Sequence, residues 1–169
     1  TCALDIIGAK FFRKVENGEI VVITETGLES IKPFPKIKER PCLFEYIYFS
    51  RPDSIINNKS VYEYRKRSGA ELAKESNVDS DLIVPVPDSG VPAAIGYSGE
   101  IKKNVELGII RNHYVGRTFI EPTQQIRSLG VKLKHSVNKS LIKNKSLILI
   151  DDSLVRGTTS IKIIKMLYE

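Results

Sequence analysis

Residues Leu147 to Ser160 read Leu-Ile-Leu-Ile-Asp-Asp-Ser-Leu-Val-Arg-Gly-Thr-Thr-Ser, and they gather three kinds of chemistry in one short stretch. The four apolar residues predict a short buried strand, Asp151 and Asp152 stand where it ends, and Gly157, Thr158, Thr159 and Ser160 turn the chain into an amphipathic helix. A helix start leaves about four backbone N–H groups without internal partners and carries roughly half a positive charge. An anionic phosphate suits that position: Gly157 lets the backbone approach, and the hydroxyls of Thr158, Thr159 and Ser160 add donors. Carboxylates accept hydrogen bonds, so Asp151 and Asp152 suit sugar hydroxyls or a hydrated Mg²⁺ rather than the phosphate itself. Ordinary strand, turn and cap punctuation would produce part of this pattern, but the full string is more specific than a lone glycine pattern.

A second junction of the same kind lies upstream. Asp81 to Pro87 reads as a strand, after which Asp88-Ser89-Gly90-Val91-Pro92 opens a helix with Pro near its first turn. Its hydroxyl, glycine and free amides make a second candidate anion site, although a plain strand-to-helix turn has the same composition. Between the two junctions, Arg111 to Lys134 holds five basic residues (Arg111, Arg117, Arg127, Lys132 and Lys134) against one acid, Glu121. Gly116, Pro122 and Gly130 and the lack of helical periodicity make this a basic loop rather than a groove-reading helix, or else a solvated charged surface.

The elements that must position these residues follow from pattern. Ala3 to Ile7 is apolar and strand-like. Ile20-Val21-Val22-Ile23 follows a turn-prone Asn17-Gly18, and Thr26-Gly27 precedes another short run, so residues 1 to about 35 predict a small β segment. Lys32-Pro33-Phe34-Pro35-Lys36 reads as a linker. Leu43 to Phe49 is aromatic and β-branched enough for a central strand with its aromatics in the core. Ser60-Val61-Tyr62-Glu63 is a capping box for a helix to about Ser76, with Gly69 a tolerated weak point. Val105 to Ile110 and Leu147 to Ile150 complete the strands, and Ile161 to Tyr168 is an amphipathic helix. Strands alternating with helices predict an α/β fold, a mostly parallel sheet flanked by helices.

The 169 residues fit one domain of ordinary size, 41% hydrophobic and 27% charged. No apolar run approaches the roughly 20 residues of a membrane span, and no signal segment opens the chain, so a cytoplasmic protein is expected. Cys2 and Cys42 are too few for a disulfide framework. A formal charge of +6 implies an anionic partner, which nucleic acid and a polyphosphate substrate both satisfy. The first residue is Thr and Tyr168-Glu169 lacks a helix exit signal, so a piece of a longer polypeptide is expected.

The string from Leu147 to Ser160 resembles the phosphoribosyl pyrophosphate signature of type I phosphoribosyltransferases. Three further segments resemble one branch of them, the amidophosphoribosyltransferases of purine synthesis. Pro41 to Ser54 is similar to the segment joining that family's two domains, Val86-Pro87-Asp88-Ser89 to its pyrophosphate loop, and Arg111 to Pro122 to its flexible catalytic loop. Cys2-Ala3-Leu4-Asp5 is similar to the end of its glutaminase domain. The resemblance implies the tail of a glutaminase domain with its linker in residues 1–35 and a phosphoribosyltransferase domain, truncated at its C-terminus, in 36–169.

The resemblance also implies a reaction: ammonia from glutamine displaces pyrophosphate from phosphoribosyl pyrophosphate, giving 5-phosphoribosylamine. By position, Asp151 and Asp152 would hold ribose hydroxyls and Mg²⁺, Ser89 would join the metal and pyrophosphate site beside Asp88, and Ser153 through Ser160, with Arg156, would cradle the 5′-phosphate. Arg111, Tyr114 and Arg117 would act from the closing loop, with Tyr114 and Ile120 walling a path for ammonia. Cys2 would not be the glutaminase nucleophile. Cys42 matches the first ligand of family members that carry a [4Fe-4S] cluster; a single thiolate cannot hold one, so a buried, inert Cys is expected. A homo-oligomer is expected. Two other readings stay open: a remnant that folds or self-associates without turnover, and a regulator that uses its charge on DNA, for which no recognition-helix pattern is present.

Overall fold

The computed structural model describes residues 2–76, 78–114 and 134–169. The chain opens with a short helix α1 (Cys2–Ile6), where the apolar run had predicted a strand. Residues in five-residue helices and isolated short strands are decided by their surroundings: here Ile7, Gly8 and Ala9 amides bond back to Leu4 and Asp5 carbonyls, closing a helical turn. The expected β segment follows as the hairpin β1 (Ile20–Thr24) and β2 (Gly27–Ile31), antiparallel with Ile20 opposite Ile31. Glu19 anchors its base. It accepts from both terminal nitrogens of Arg13, at 2.9 and 2.7 Å, and from the Glu16 amide, which holds its carboxyl down at about 2.

The segment from Leu43 to Phe49 is a π-helical turn over Glu45–Phe49, not a central strand. The Ser50 amide donates to the Glu45 carbonyl, and the Tyr46 and Ser50 carbonyls accept from Arg65, so no free ladder of backbone groups is left for a sheet. Of its aromatics Tyr46 is buried, while Phe49 is 73% exposed, which also corrects the expected core role. Two short strands, β3 (Ile55–Ile56) and β4 (Lys59–Ser60), lead into α2 (Val61–Glu75). The Ser60 hydroxyl accepts from the Glu63 amide, the cap expected from the sequence.

The body is a parallel pair, β5 (Leu82–Pro85) and β8 (Leu147–Ile150), with Ile83 opposite Ile148 and Pro85 opposite Ile150. Val105 extends it on the other side of β5 through a parallel bridge to Ile83. The remaining elements are α3 (Val91–Ile101), an antiparallel pair β6 (Ile109–Arg111) and β7 (His135–Val137), α4 (Lys139–Ile142) and α5 (Thr158–Tyr168).

Period-two alternation divides the core into two layers. Ile83 and Ile150 pack with Ala73, Ala94 and Tyr97 of α2 and α3. Val84 and Val86 point the other way, against Ile109 and against Ile163 of α5. The sheet is therefore helix-covered on both faces. Ile83, Val84, Ile109 and Ile163 are at most 1% exposed, and burial on that scale contributes about 1.5–3 kcal/mol for each such side chain.

Gly69 is not a weak point of α2. A β-carbon there would lie 1.9 Å from the Ala93 carbonyl oxygen, and one at Gly96 of α3 would lie 1.8 Å from that of Lys66. The two helices touch backbone to backbone at these glycines. Gly69→Ala is expected to destabilise the chain by about 3 kcal/mol through forced separation of the helices. Gly99→Ala, in α3 with open space around it, is expected to stabilise by about 0.5–1 kcal/mol through helix propensity. Urea unfolding of the two variants checks both signs, and a neutral Gly69→Ala would refute the close contact.

Candidate functional site

The two strand-to-helix junctions singled out in the sequence lie side by side. The Val86 amide, one residue past β5, donates to the Ile150 carbonyl at 2.8 Å, extending the ladder to the end of β8. Gly90 then turns back so closely that a β-carbon on it would stand 2.4 Å from the same Ile150 oxygen. The loop Asp88–Ser89 and the loop that begins at Asp151 thus leave the same end of the parallel pair, where open α/β sheets place ligands.

Asp151 and Asp152 are both half-buried. The Asp152 amide donates to Asp151 Oδ1 at 2.9 Å, and Ser153 Oγ donates to Asp152 Oδ1 at 2.7 Å. Asp152 Oδ2 is buried and has no hydrogen-bond partner among the described residues. Burial pushes the Asp151 carboxyl up, its bond from the Asp152 amide acts against that, and the Asp152 charge pushes it up further. An orphaned carboxylate oxygen beside a second carboxylate is a hard donor set short of a partner, which fits Mg²⁺ or sugar hydroxyls. Both residues also line the end of a cleft of about 820 Å³ along α2, with Tyr64, Ser68, Gly69 and Ala93.

Beyond the carboxylates, Leu154, Val155 and Arg156 are exposed and Gly157 takes φ 68°, a left-handed position at which glycine is favoured. Gly157 caps α5 without a side-chain bond, and Thr158 and Thr159 are exposed. The first-turn amides are thereby left to an acceptor from outside the helix. At the other junction Gly90 caps α3, again without a side-chain bond, with Pro92 in its first turn. The Pro87–Asp88 peptide bond is cis.

Of the basic loop, Arg111 and its return strand are described. Arg111 pairs with His135 across β6 and β7, and the Asn112 amide bonds the Lys134 carbonyl at 2.8 Å, so the two ends of the loop are closed on each other. Arg111 forms an ion pair with Asp88, joining the loop's base to the first junction. Tyr114 is fully exposed. Arg117 and Ile120 lie outside the described residues.

Cys42 is exposed, not buried as expected, because the residues around it form a surface turn instead of a central strand. Cys2 lies elsewhere, its Sγ 3.2 Å from Ser54 Oγ. A [4Fe-4S] cluster takes four cysteine ligands, and two cysteines do not fit it.

One residue near the site escaped the sequence reading. Arg65, only 5% exposed, lies in the buried stripe of α2; burial lowers its pKa, and the charge of Asp152 acts against that. The signal was present as a charge at the second position of a Val61, Arg65, Gly69, Ala73 series with helical spacing.

The whole chain aligns with amidophosphoribosyltransferases from Rhizobium etli (61% identical), Synechocystis (54%) and Bacillus subtilis.

 The identity to the Bacillus subtilis enzyme is 47% over 169 residues. The chain spans about a third of the length of these curated relatives: 35%, 34% and 36%. No family model matches it. Among solved structures, a glutamine phosphoribosylpyrophosphate amidotransferase from B. subtilis complexed with ADP and GMP superposes with a TM-score of 0.86 at 46% identity, covering 99% of this chain and 37% of that one. A structure described as the allosteric regulatory enzyme of purine biosynthesis superposes with a TM-score of 0.87, also at 46% identity, covering 99% of this chain and 36% of that one.

The raised carboxyl of Asp151 has a consequence for stability. Its folded-state value lies above the ordinary 3.8, so the ionised form weighs against the fold at neutral pH, and that cost is relieved as pH falls through the folded value and is gone below the unfolded one. Asp151→Asn is therefore expected to unfold at a higher temperature than the parent at pH 7, with the difference shrinking as the pH is lowered towards 4. Thermal unfolding across that range checks it; a variant less stable than the parent at pH 7 would contradict the assignment.

Proposed function

This chain belongs to the amidophosphoribosyltransferase family and has its type I phosphoribosyltransferase-like α/β fold, and from that premise we propose that it carries out phosphoribosyl transfer. In the proposed reaction, ammonia derived from glutamine attacks the anomeric carbon of phosphoribosyl pyrophosphate. A C–N bond forms, the C–O bond to pyrophosphate breaks, and the nitrogen sheds a proton to give 5-phosphoribosylamine, in the first committed step of de novo purine synthesis. The observation that supports this best is the Val86 to Ile150 hydrogen bond, which sets two helix-start anion sites and a carboxylate pair at one end of the sheet.

In this reading Asp151 and Asp152 take the ribose hydroxyls, and with Ser89 they hold Mg²⁺. Ser153, Arg156, Gly157, Thr158, Thr159 and Ser160 receive the 5′-phosphate. Asp88 and Ser89 border the pyrophosphate, with Arg111 already tied to Asp88. Mg²⁺ bound there would neutralise charge on the leaving group. Arg117 would add a second cation as pyrophosphate departs, and a loop closed over the sugar would keep water from the activated carbon. Tyr114 and Ile120 would border the path of ammonia, which needs no general base before it attacks. The proposal extends to a division at residue 35 between the tail of a glutaminase domain with its linker and the phosphoribosyltransferase domain, to a homo-oligomer and to a cytoplasmic site of action. No helix among the described residues is long and apolar enough to cross a membrane.

Calorimetry with phosphoribosyl pyrophosphate and Mg²⁺ tests the site. Binding is expected in the parent and about a hundredfold weaker in the variant with Asp151→Ala and Asp152→Ala, the loss of two charge-assisted contacts. No heat from the parent, or equal binding by the variant, would overturn the proposal. Ammonia-dependent pyrophosphate release tests turnover, and Arg117→Ala is expected to lower it about a hundredfold. Retained binding without any release would instead support a non-catalytic remnant.

A further inference from the structure

An ion pair joins Arg111, at the base of the basic loop, to Asp88 at the first junction, and its acid stands where an anion is expected to bind. A helix start favours negative charge, and here the chain itself supplies one. The Asp88 carbonyl accepts from the Val91 amide at 3.3 Å, which pins the residue to the first turn of α3. Its carboxylate is exposed and accepts from Arg111 Nη1. Arg111 rides on an equally fixed main chain, paired with His135 across β6 and β7, so it is the side chain, not the backbone, that can change partner. Among the described residues Asp88 engages one nitrogen of that guanidinium, while Nε is buried without a hydrogen-bond partner. A planar guanidinium fork is used best by two parallel bonds to a carboxylate or phosphate, and an unmet buried donor is costly. The pair therefore holds Arg111 in place and leaves it under-satisfied. A polyphosphate, with more acceptors and more charge than one carboxylate, is the better partner.

We propose that Asp88 is a stand-in for pyrophosphate: it holds Arg111 at the first junction until the anion arrives, and the anion then displaces it and takes over the guanidinium. Asp88 is thus a positioning residue that acts through Arg111, not a ligand of the substrate. The exchange limits the affinity for the anion, because the Asp88 pair is broken each time the anion binds. The identity of the anion rests on the phosphoribosyl reading, whereas the competition of a carboxylate and a polyphosphate for one guanidinium does not. A purely structural pair predicts weaker binding when Asp88 is neutralised; a competitor predicts tighter binding, and only while Arg111 is present.

The test is calorimetric titration of the full chain with inorganic pyrophosphate, with and without Mg²⁺, for the parent, Asp88→Asn, Arg111→Ala and the double variant. Asp88→Asn is expected to bind about fivefold more tightly than the parent in both conditions, and Arg111→Ala about tenfold more weakly. In the Arg111→Ala background the gain from Asp88→Asn is expected to vanish, because no guanidinium is left to compete for. An Asp88→Asn that binds no more tightly overturns the proposal, and weakening confined to Mg²⁺ assigns Asp88 to the metal instead. A gain that survives Arg111→Ala overturns it as well, since it reports plain repulsion between the Asp88 carboxylate and the anion. So does the absence of pyrophosphate binding by all four proteins. Titration with phosphoribosyl pyrophosphate tells the two readings apart. If Asp88→Asn tightens pyrophosphate but none of the four binds phosphoribosyl pyrophosphate, the phosphoribosyl reading falls and the exchange stands. If the parent binds phosphoribosyl pyrophosphate and Asp88→Asn changes neither ligand's affinity, the exchange falls and the reading stands.

Discussion

The register between β5 and β8 is the constraint on which the rest of the structure depends. Side chains alternate between the faces of a strand, so a slip of one residue would exchange Ile83 with Val84 and turn each core layer outward. The register is held at both ends. At the start, the Ser146 amide and hydroxyl donate to Asp81 Oδ2 at 2.7 and 2.8 Å, which also lowers the Asp81 carboxyl. At the finish, the Val86 amide reaches the Ile150 carbonyl. With both ends fixed, the two loops leave the sheet at one level, and two separate helix starts become parts of one site.

The helices on one face are held just as closely. Gly69 and Gly96 let α2 and α3 meet through their backbones, and Tyr97 Oη donates to the Ser76 carbonyl at the C-terminal end of α2. That contact fixes the depth at which α2 lies under the sheet ends, and so the height of its buried stripe relative to Asp151 and Asp152. The site itself is less comfortable. Among the described residues it leaves one carboxylate oxygen without a donor, and it raises the other residue's carboxyl, a cost that packing elsewhere in the domain must sustain.

What the sequence made legible was local. The Leu147–Ile150 strand, the Ser60 cap, the turn at Asn17-Gly18 and the glycine turn at Gly157 each depend on neighbours in the chain and stand where they were expected, whereas the expected strand from Val105 to Ile110 divides into a single bridge at Val105 and a strand over Ile109–Arg111. Leu43 to Phe49 does not, because its conformation depends on Arg65, about twenty residues on: a run with strong β preference coils where a guanidinium claims the Tyr46 carbonyl and that of Ser50 just beyond the run. The exposed Cys42 follows from the same error. Ala3 to Ile7 misled as a short apolar run, which periodicity alone cannot assign. Gly69 looked dispensable because helix propensity registers its cost within α2 and not the approach of α3. The candidate site divides likewise: Asp88, Ser89, Asp151, Asp152 and residues 153–160 were expected from local pattern and resemblance, that their two junctions share one end of the sheet required the fold, and Arg117 lies outside the described residues.

That division has a physical origin. A phosphate site at a helix start is made mainly of main-chain amides, which every residue but proline supplies, so the chain need only encode where the strand stops and the turn begins. Glycine, hydroxyl residues and a preceding apolar run are sufficient notation for that, and they sit within a dozen residues of one another. A carboxylate site is different, because its properties come from burial and from charges brought near by other elements. Asp151 and Asp152 are adjacent in sequence and share a loop, yet burial raises the Asp151 carboxyl, while Asp152 is the one that accepts from Ser153 and has its second oxygen buried without a partner among the described residues. Two identical side chains can thus be given different tasks only by the tertiary structure, which is why the position of this site was readable in the chain and its electrostatics were not.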